Sequence, residues 1–521
     1  MKNKSLIRRS LRASRLMAQT DEPYRHIKLI SELILVDMGL PENIGRGMVP
    51  KNFQPFLQLN VRQRLFIELR KAFYGELMLA LTEPDKPIPV FFPDAWRDWL
   101  ESKGIKVASF SSNIRRWKVL IQFLIQGARR WFRLCCDSFR PQFDFEESYA
   151  IFPSMPEGAI PKSAEEVATH HGVSRWYKES DIRLASEKNI FVNVSTLKNK
   201  PIDNCFQIQE RIFPGLLGLR KRMTFAVVGI WISLLAVSNV LIGRWWSAIL
   251  LRDAMELLYF RLIEKEQVAS TYLFHDSFFA NRPLWTFQAE AQGVRIFLAP
   301  YSLNYGGMHI KGFGNTPYPP GWELINWPEY AVWDQEHKNF IQRYDRHNAK
   351  YHIVKAYSLT DKSAQIPEIS DKSIVLFDVA VYRSSSSIFS GITVHYYRLD
   401  VLKEFYNVIY EVAIASGYAI VLKPKGRSIH VTKGYKKFID EFSRRKGVIR
   451  VDSGISAERI VKEVKASISI PFTSTATIAK QASIPSVFYS PLDKLSLDTL
   501  YRHDVEILTN KQDLEKWFHS I

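Results

Sequence analysis

Residues 466–491 read ASISIPFTSTATIAKQASIPSVFYSP, and the grammar of this stretch decides the fold. An apolar run, ASISIPF, passes at a proline into three hydroxyl residues, Thr473, Ser474 and Thr475, which open a segment of helical spacing. A second β-branched and aromatic run, SVFYSP, follows. Strand, helix, strand, with strands too apolar to keep a solvated face, predicts a parallel sheet covered on both sides. The pattern extends toward the N-terminus. VIRVDSG (448–454) and the helix SAERIVKEVK (456–465) come just before, preceded by the basic amphipathic helix GYKKFIDEFSRRKG (434–447). Further back lie YAIVLKPK (418–425), the helix RLDVLKEFYNVIYEVAIASG (398–417) and the strand SIVLFDVAVY (373–382). Together they predict a doubly wound α/β domain over 356–521.

A polar, proline-bearing passage at 346–373 reads as the linker to a second unit. Over 85–355 the same alternation recurs. IPVFFP (88–93), the helix DAWRDWLESKG (94–104) and IKVASF (105–110) predict one βαβ unit, and TYLFHDS (271–277), RPLWTFQAEAQG (282–293) and VRIFLAP (294–300) another, with NIFVNVS (189–195) between. Residues 1–84 read as helical, with no chemistry visible in them. The expected fold class is thus α/β: two Rossmann-like doubly wound domains, a helical N-terminal segment, and helical insertions at 111–140 and 220–252.

Those insertions raise the question of a membrane. MTFAVVGIWISLLAVSNVLIG (223–243) carries no formal charge and is long enough to cross a hydrocarbon core. IRRWKVLIQFLIQGARRWFRLCC (114–136) sets apolar residues against six arginines and lysines, the chemistry of an interfacial helix or of a core helix with a solvated basic face. Apolar strands lie on both sides of these segments in sequence. If they share one sheet, a single crossing would divide it, so peripheral or monotopic attachment to the cytoplasmic face of a membrane is expected rather than a span. The first 26 residues are basic but lack the apolar core of a secretory signal, so export is not expected.

The composition fits this frame. The 521 residues are 46% hydrophobic and 24% charged, which excludes a disordered or collagen-like chain. Three cysteines are too few for a disulfide scaffold. A formal charge of +18 calls for an anionic partner: nucleic acid, phospholipid headgroups or a phosphorylated substrate. The basic residues cluster with apolar segments and not in a known nucleic-acid motif, so an anionic membrane surface is expected and nucleic acid is not. No GxxxxGK[ST], GxGxxG or GxSxG occurs, against a P-loop NTPase, a dinucleotide oxidoreductase and an α/β-hydrolase.

In open parallel sheets, ligands bind at the carboxyl ends of strands. Thr473, Ser474 and Thr475 stand at such an end where a helix starts, and would make a phosphate site or merely cap the helix. Lys423 and Lys425, flanking Pro424, end another strand and would neutralise a diphosphate or form a solvated loop. In the first domain His275 and Asp276 end a strand, and Glu290 lies on the next helix; these are the candidates for a catalytic base, each also open to a structural role. The glycine- and aromatic-rich 299–323 is a candidate acceptor or lid loop.

The string SIPFTSTATIAKQASIPSVFY resembles the signature of the polysaccharide biosynthesis PFTS-motif proteins, its four letters being Pro471, Phe472, Thr473 and Ser474. With the upstream LKPK and two α/β halves, the chain is similar to bacterial GT-B glycosyltransferases of surface polysaccharides, including users of CMP-activated nonulosonic acids. That resemblance implies a nucleotide-sugar donor, CMP-linked by preference, and a lipid-linked or oligosaccharide acceptor at the inner membrane. It implies donor-phosphate binding by Lys423, Lys425, Thr473, Ser474 and Thr475, with Lys423-Pro424 where sialyltransferase-like relatives often carry His-Pro. No cofactor and no metal are expected, since positive charge and hydroxyl donors stabilise a leaving phosphate and no DxD is present. A CDP-activated polyol-phosphate transferase, a nucleotide-sugar epimerase or hydrolase, and a non-catalytic assembly factor are the alternatives.

Overall fold

The computed structural model describes residues 4–17, 19–22, 24–70, 73–91, 93–140, 148–169, 172–276, 281–303, 320–345, 347–359, 361, 364–379, 381, 398–424, 431–492 and 502–521. The N-terminal region is helical: α1 (Lys4–Met17), α2 (Arg25–Leu33), α3 (Gln54–Arg70) and α4 (Phe73–Thr82). After α5 (Asp94–Ser102) comes α6 (Ser109–Ser138), 30 residues long.

The first sheet has eight strands: β1 (Tyr149–Phe152), β2 (Asn189–Asn193), β3 (Lys200–Pro201), β4 (Phe206–Gln209), β5 (Thr271–Phe274), β6 (Arg295–Leu298), β7 (Glu329–Val332) and β8 (Lys350–Ile353). Their order is β3-β4-β2-β1-β5-β6-β7-β8, and all pairs are parallel except β3 with β4. The helices α7 (Ala164–Thr169), α8 (Val173–Lys178), α9 (Leu219–Leu241), α10 (Trp246–Leu262), α11 (Trp285–Ala291) and α12 (Gln335–Tyr344) connect them. The second sheet, β9 (Ser373–Phe377), β10 (Ala419–Lys423), β11 (Val448–Arg450), β12 (Ala466–Ser469), β13 (Ser486–Tyr489) and β14 (Glu506–Leu508), has the order β11-β10-β9-β12-β13-β14 and is parallel throughout. Both sheets start in the middle and wind outward in each direction, so each has a point where the strand order reverses: between β1 and β5 in the first, between β9 and β12 in the second. Two doubly wound domains in tandem, the GT-B-like arrangement expected, are therefore present.

The strands expected at 88–93 and 105–110 are not part of either sheet. They meet in a single parallel bridge, Ile88 with Val107. Pro87, Pro89 and Pro93 remove ladder donors, and α6 takes over from Ser109. Ile88, Val90 and Phe91 are nevertheless buried, so their apolar character was a sign of core and not of sheet. The expected linker is likewise packed. It contains β8, and Tyr357 is buried with its hydroxyl donating to the carbonyl of Ala299 at 2.9 Å. One apolar core joins a face of each sheet, with Ala331 and Trp333 from the first domain, Val375 and Val421 from the second, and Tyr357 among them.

β1 and β5 are hydrogen-bonded neighbours, although α9 lies between them in sequence. The chain therefore leaves one sheet through α9 and returns to the same sheet after α10. α9 is the one described helix long and apolar enough to cross a membrane. It runs antiparallel to α6: the Leu216 amide donates to the carbonyl of Ser138 at 3.2 Å, and further along Gly229 meets Trp131. The approach is close, since a Cβ on Gly229 would fall 2.3 Å from Trp131 Cδ1. Gly127 does the same for α10, where a Cβ would fall 2.5 Å from Leu251 Cγ. α10 is buried along most of its length.

The outer faces of α6 and α9 are apolar and exposed. Ile114, Trp117, Ile121, Ile125 and Phe132 recur at helical spacing on α6, and Val227, Ile230, Trp231, Leu234, Val237 and Leu241 on α9. The basic residues of α6 divide. Arg115 pairs with Glu76 and Arg130 with Glu256, both turned into the protein, and Arg116 pairs with Asp94 at the surface, while Lys118, Arg129 and Arg133 are exposed.

Candidate functional site

At the reversal point of the second sheet, β12 ends in the turn Pro471-Phe472, and the helix Ser474–Gln481 begins two residues later. Phe472 has φ +63°, a left-handed conformation that costs a residue with a Cβ about 1–2 kcal/mol. Burial of its ring against Phe488, centroids 5.7 Å apart, holds it there. The turn gathers the hydroxyls. Thr473 Oγ1 donates to the carbonyl of Ile470 at 2.9 Å and lies 3.2 Å from Thr475 Oγ1, which is 3.1 Å from Ser469 Oγ. Thr473 occupies the N-cap position but makes no side-chain capping bond, so the bland reading of this cluster as a simple cap fails. Amides of a helix's first turn have no intrahelical acceptor and, with the helix dipole, favour an anion.

Lys423 ends β10 level with Phe377 of β9, and Ser469 ends β12 level with the same residue from the other side. The lysine and the hydroxyl cluster therefore lie on one edge, two strand spacings or about 10 Å apart. Lys425 lies outside the described residues. Between them, just after β9, is Asp378, buried, with the Tyr435 hydroxyl donating to its Oδ2 at 2.6 Å. Sequence reasoning passed over this carboxylate; its position directly after the run SIVLF was the available signal.

The reversal point of the first sheet opens into a cavity of about 520 Å³. Strand ends supply one wall: Ser154 after β1, Asn193 of β2, Arg211 after β4, and His275 and Asp276 after β5. Helices supply the other, with Arg64 of α3, Arg130 and Arg133 of α6, and Arg252 and Glu256 of α10. The expected pair His275 and Asp276 thus lies in a cavity. Burial pushes the His275 imidazole down to about 4, so it is neutral near pH 7, and its buried Nδ1 has no partner among the described residues. Glu290 is not brought to the site: it pairs with Arg282 and is absent from the cavity lining.

The cavity's arginines are held by a shared set of acids. Arg64 binds Asp253 through two hydrogen bonds of 2.9 and 2.8 Å. Glu256 lies 2.8 Å from Arg130 and 3.3 Å from Arg252; burial opposes its charge, yet these guanidinium groups hold its carboxyl below the ordinary value. Arg211 is buried, which pushes its guanidinium down, and its Nη1 donates to the Asp137 carbonyl at 3.2 Å. These residues are scattered over positions 64 to 256, and no local pattern marks them. Among the described residues no cluster of three His, Cys, Asp or Glu is placed to hold a metal ion.

The sequence pattern of the polysaccharide biosynthesis PFTS motif proteins matches residues 229–518, more than half of the chain and including the Pro471-Ser474 turn. The chain belongs to this family. In the PFTS-motif frame the matched region begins at Gly229 within α9 and takes in β5–β8 and the whole second sheet. No curated protein matches the sequence. Among solved structures, TarM is 12% identical with a TM-score of 0.30, over 52% of this chain and 51% of that one, so the PFTS-motif chain spans about half the length of TarM. The Methanocaldococcus jannaschii UDP-GlcNAc 2-epimerase, in complex with UDP-GlcNAc and UDP, is 10% identical with a TM-score of 0.33 over 72% of this chain and 92% of that one. The E. coli trehalose-6-phosphate structure bound with UDP-2-fluoro glucose is 9% identical with a TM-score of 0.34, over 72% and 90%.

Proposed function

We propose that this PFTS-motif protein is a glycosyltransferase of bacterial surface polysaccharide synthesis that moves a sugar from a nucleotide-activated donor to a lipid-linked or growing glycan. One observation carries the reading: the uncapped hydroxyl cluster at Thr473, Ser474 and Thr475 opens a helix at the strand-order reversal of a parallel sheet, with Lys423 on the same edge. Such an edge suits a nucleotide phosphate. Lys423, Lys425 and the hydroxyls would meet the charge of the departing nucleotide, with no metal required. A CMP-linked nonulosonic acid is the preferred donor, on family resemblance.

In the first domain His275, neutral near pH 7, and Asp276 would orient or deprotonate the acceptor hydroxyl, with the reaction in the cleft between the domains. We place the protein on the cytoplasmic face of the inner membrane, in monotopic attachment. The exposed stripes of α6 and α9 support this, since an apolar face of such length, here fringed by Lys118, Arg129 and Arg220, suits acyl chains bordered by anionic headgroups.

Calorimetric titration of CMP, CDP, UDP and GDP into the full chain, with Ser474→Ala and Lys423→Ala alongside, tests the donor site. Binding of CMP, weakened by both substitutions, is expected. Binding of CDP alone would move the reading to a polyol-phosphate transferase, and binding of none to folded protein would overturn it in favour of an assembly factor.

A further inference from the structure

The cavity at the reversal point of the first sheet is larger and more cationic than a base pair such as His275 and Asp276 requires. Five arginines from four elements line it, and one of them, Arg211, is only 6% exposed. Arg64 is matched by Asp253, and the lining also holds Asp137, Glu210, Glu256 and Asp276, but the acids near the other arginines are shared or drawn to a neighbour. Glu256 serves both Arg130 and Arg252, and Glu210 is drawn 2.7 Å from Arg140. Arg133 projects from α6 with no ion pair among the described residues. Guanidinium groups fit the paired oxygens of phosphate and are held at low desolvation cost, which makes such a set suited to a phosphate or diphosphate. Ser154, Asn193 and Asn281 add neutral polar groups to the same lining.

The second observation is where the arginines come from. Arg130 and Arg133 belong to α6, whose outer face from Ile114 to Phe132 is apolar and exposed, and α10, which carries Arg252, packs against the same helix. An amphiphile with its acyl chain along α6 and α9 would therefore bring its head group to these arginines. We propose that the cavity is the head-group site for a lipid-linked acceptor, holding its phosphate or diphosphate beside His275 and Asp276. This rests on the glycosyltransferase reading for the word acceptor, but the anion site stands on its own geometry.

The test is calorimetric binding of farnesyl diphosphate and of inorganic pyrophosphate to the full chain, with Arg133→Gln, Arg252→Gln and the control Arg444→Gln, whose side chain is exposed and is not in the cavity lining. Thermal melting verifies that each variant is folded. Farnesyl diphosphate should bind, and Arg133→Gln and Arg252→Gln should each weaken it about tenfold or more, the loss of one charge-assisted contact, while Arg444→Gln leaves it unchanged. Pyrophosphate should compete but bind more weakly. Equal affinity for pyrophosphate would overturn the lipid-linked assignment, and farnesyl diphosphate binding indifferent to both arginines would overturn the site. Farnesyl diphosphate lost in Ser474→Ala would also overturn it, by placing the probe at the other edge. If nucleotide binds at Ser474 while farnesyl diphosphate ignores the arginines, the inference fails and the glycosyltransferase reading survives; the reverse result separates them the other way.

Discussion

The two sheets are wound alike and furnished differently. Each reverses its strand order once, between β1 and β5 or between β9 and β12, and each opens its carboxyl edge there. The second edge is made from neighbours in sequence: a strained turn at Phe472, hydroxyls at 473–475 and the start of a helix. The first is made from residues far apart, arginines and acids of α3, α6 and α10 closing over the ends of β1, β2, β4 and β5. Winding locates a site, and the inserted helices decide its charge. On the proposed reading, the local edge takes the nucleotide and the edge roofed by insertions takes the acceptor's head group.

The largest expected effect falls on the roof of the first edge. Arg64→Ala strands the carboxylate of Asp253, whose side chain is 0% exposed, and should cost about 3–5 kcal/mol in urea unfolding. No single hydroxyl of the second edge should cost more than about 1.5 kcal/mol. Next, the double variant Trp117→Ser, Trp231→Ser removes two large exposed side chains from the α6 and α9 stripes, and should weaken binding to anionic vesicles by about 3 kcal/mol or more without lowering the melting temperature. A pH series separates the edges further. His275 is held near 4 against an ordinary 6.5, so the unfolded chain binds the extra proton between these values. Stability is fully present above about 6.5 and is lost as pH falls toward about 4, by at most about 3 kcal/mol, and His275→Gln should flatten that part of the profile.

Smaller effects follow. Gly229→Ala should cost about 1–3 kcal/mol by forcing α9 from Trp131, read as a lowered urea midpoint. Ser474→Ala should weaken nucleotide binding about tenfold while leaving the urea midpoint close to wild type.

How much of this was legible follows from the same contrast. The second sheet could be read because each strand is a short apolar run closed by a helix with its own punctuation, such as Gly417 at φ +80°. The position of PFTS at a strand end was local, and so was visible. What a linear reading missed is what depends on distant partners. Arg130 looked like a lipid-facing residue until Glu256 on α10 was placed beside it. IPVFFP looked like a strand because buried core and buried sheet share one composition, and its prolines were the unheeded signal. Glu290 looked like a base until Arg282 was found to claim it. His275 and Asp276 could be named from the strand-end rule, but the arginines opposite them could not.

The division of labour between the edges is tested most directly by hydrogen exchange, read by mass spectrometry on the full chain with and without a saturating amount of the nucleotide that binds. Protection should concentrate at 469–481 and around Lys423, and leave 193–211 and 274–276 unchanged. Protection confined to the strand ends of the first sheet would contradict the account.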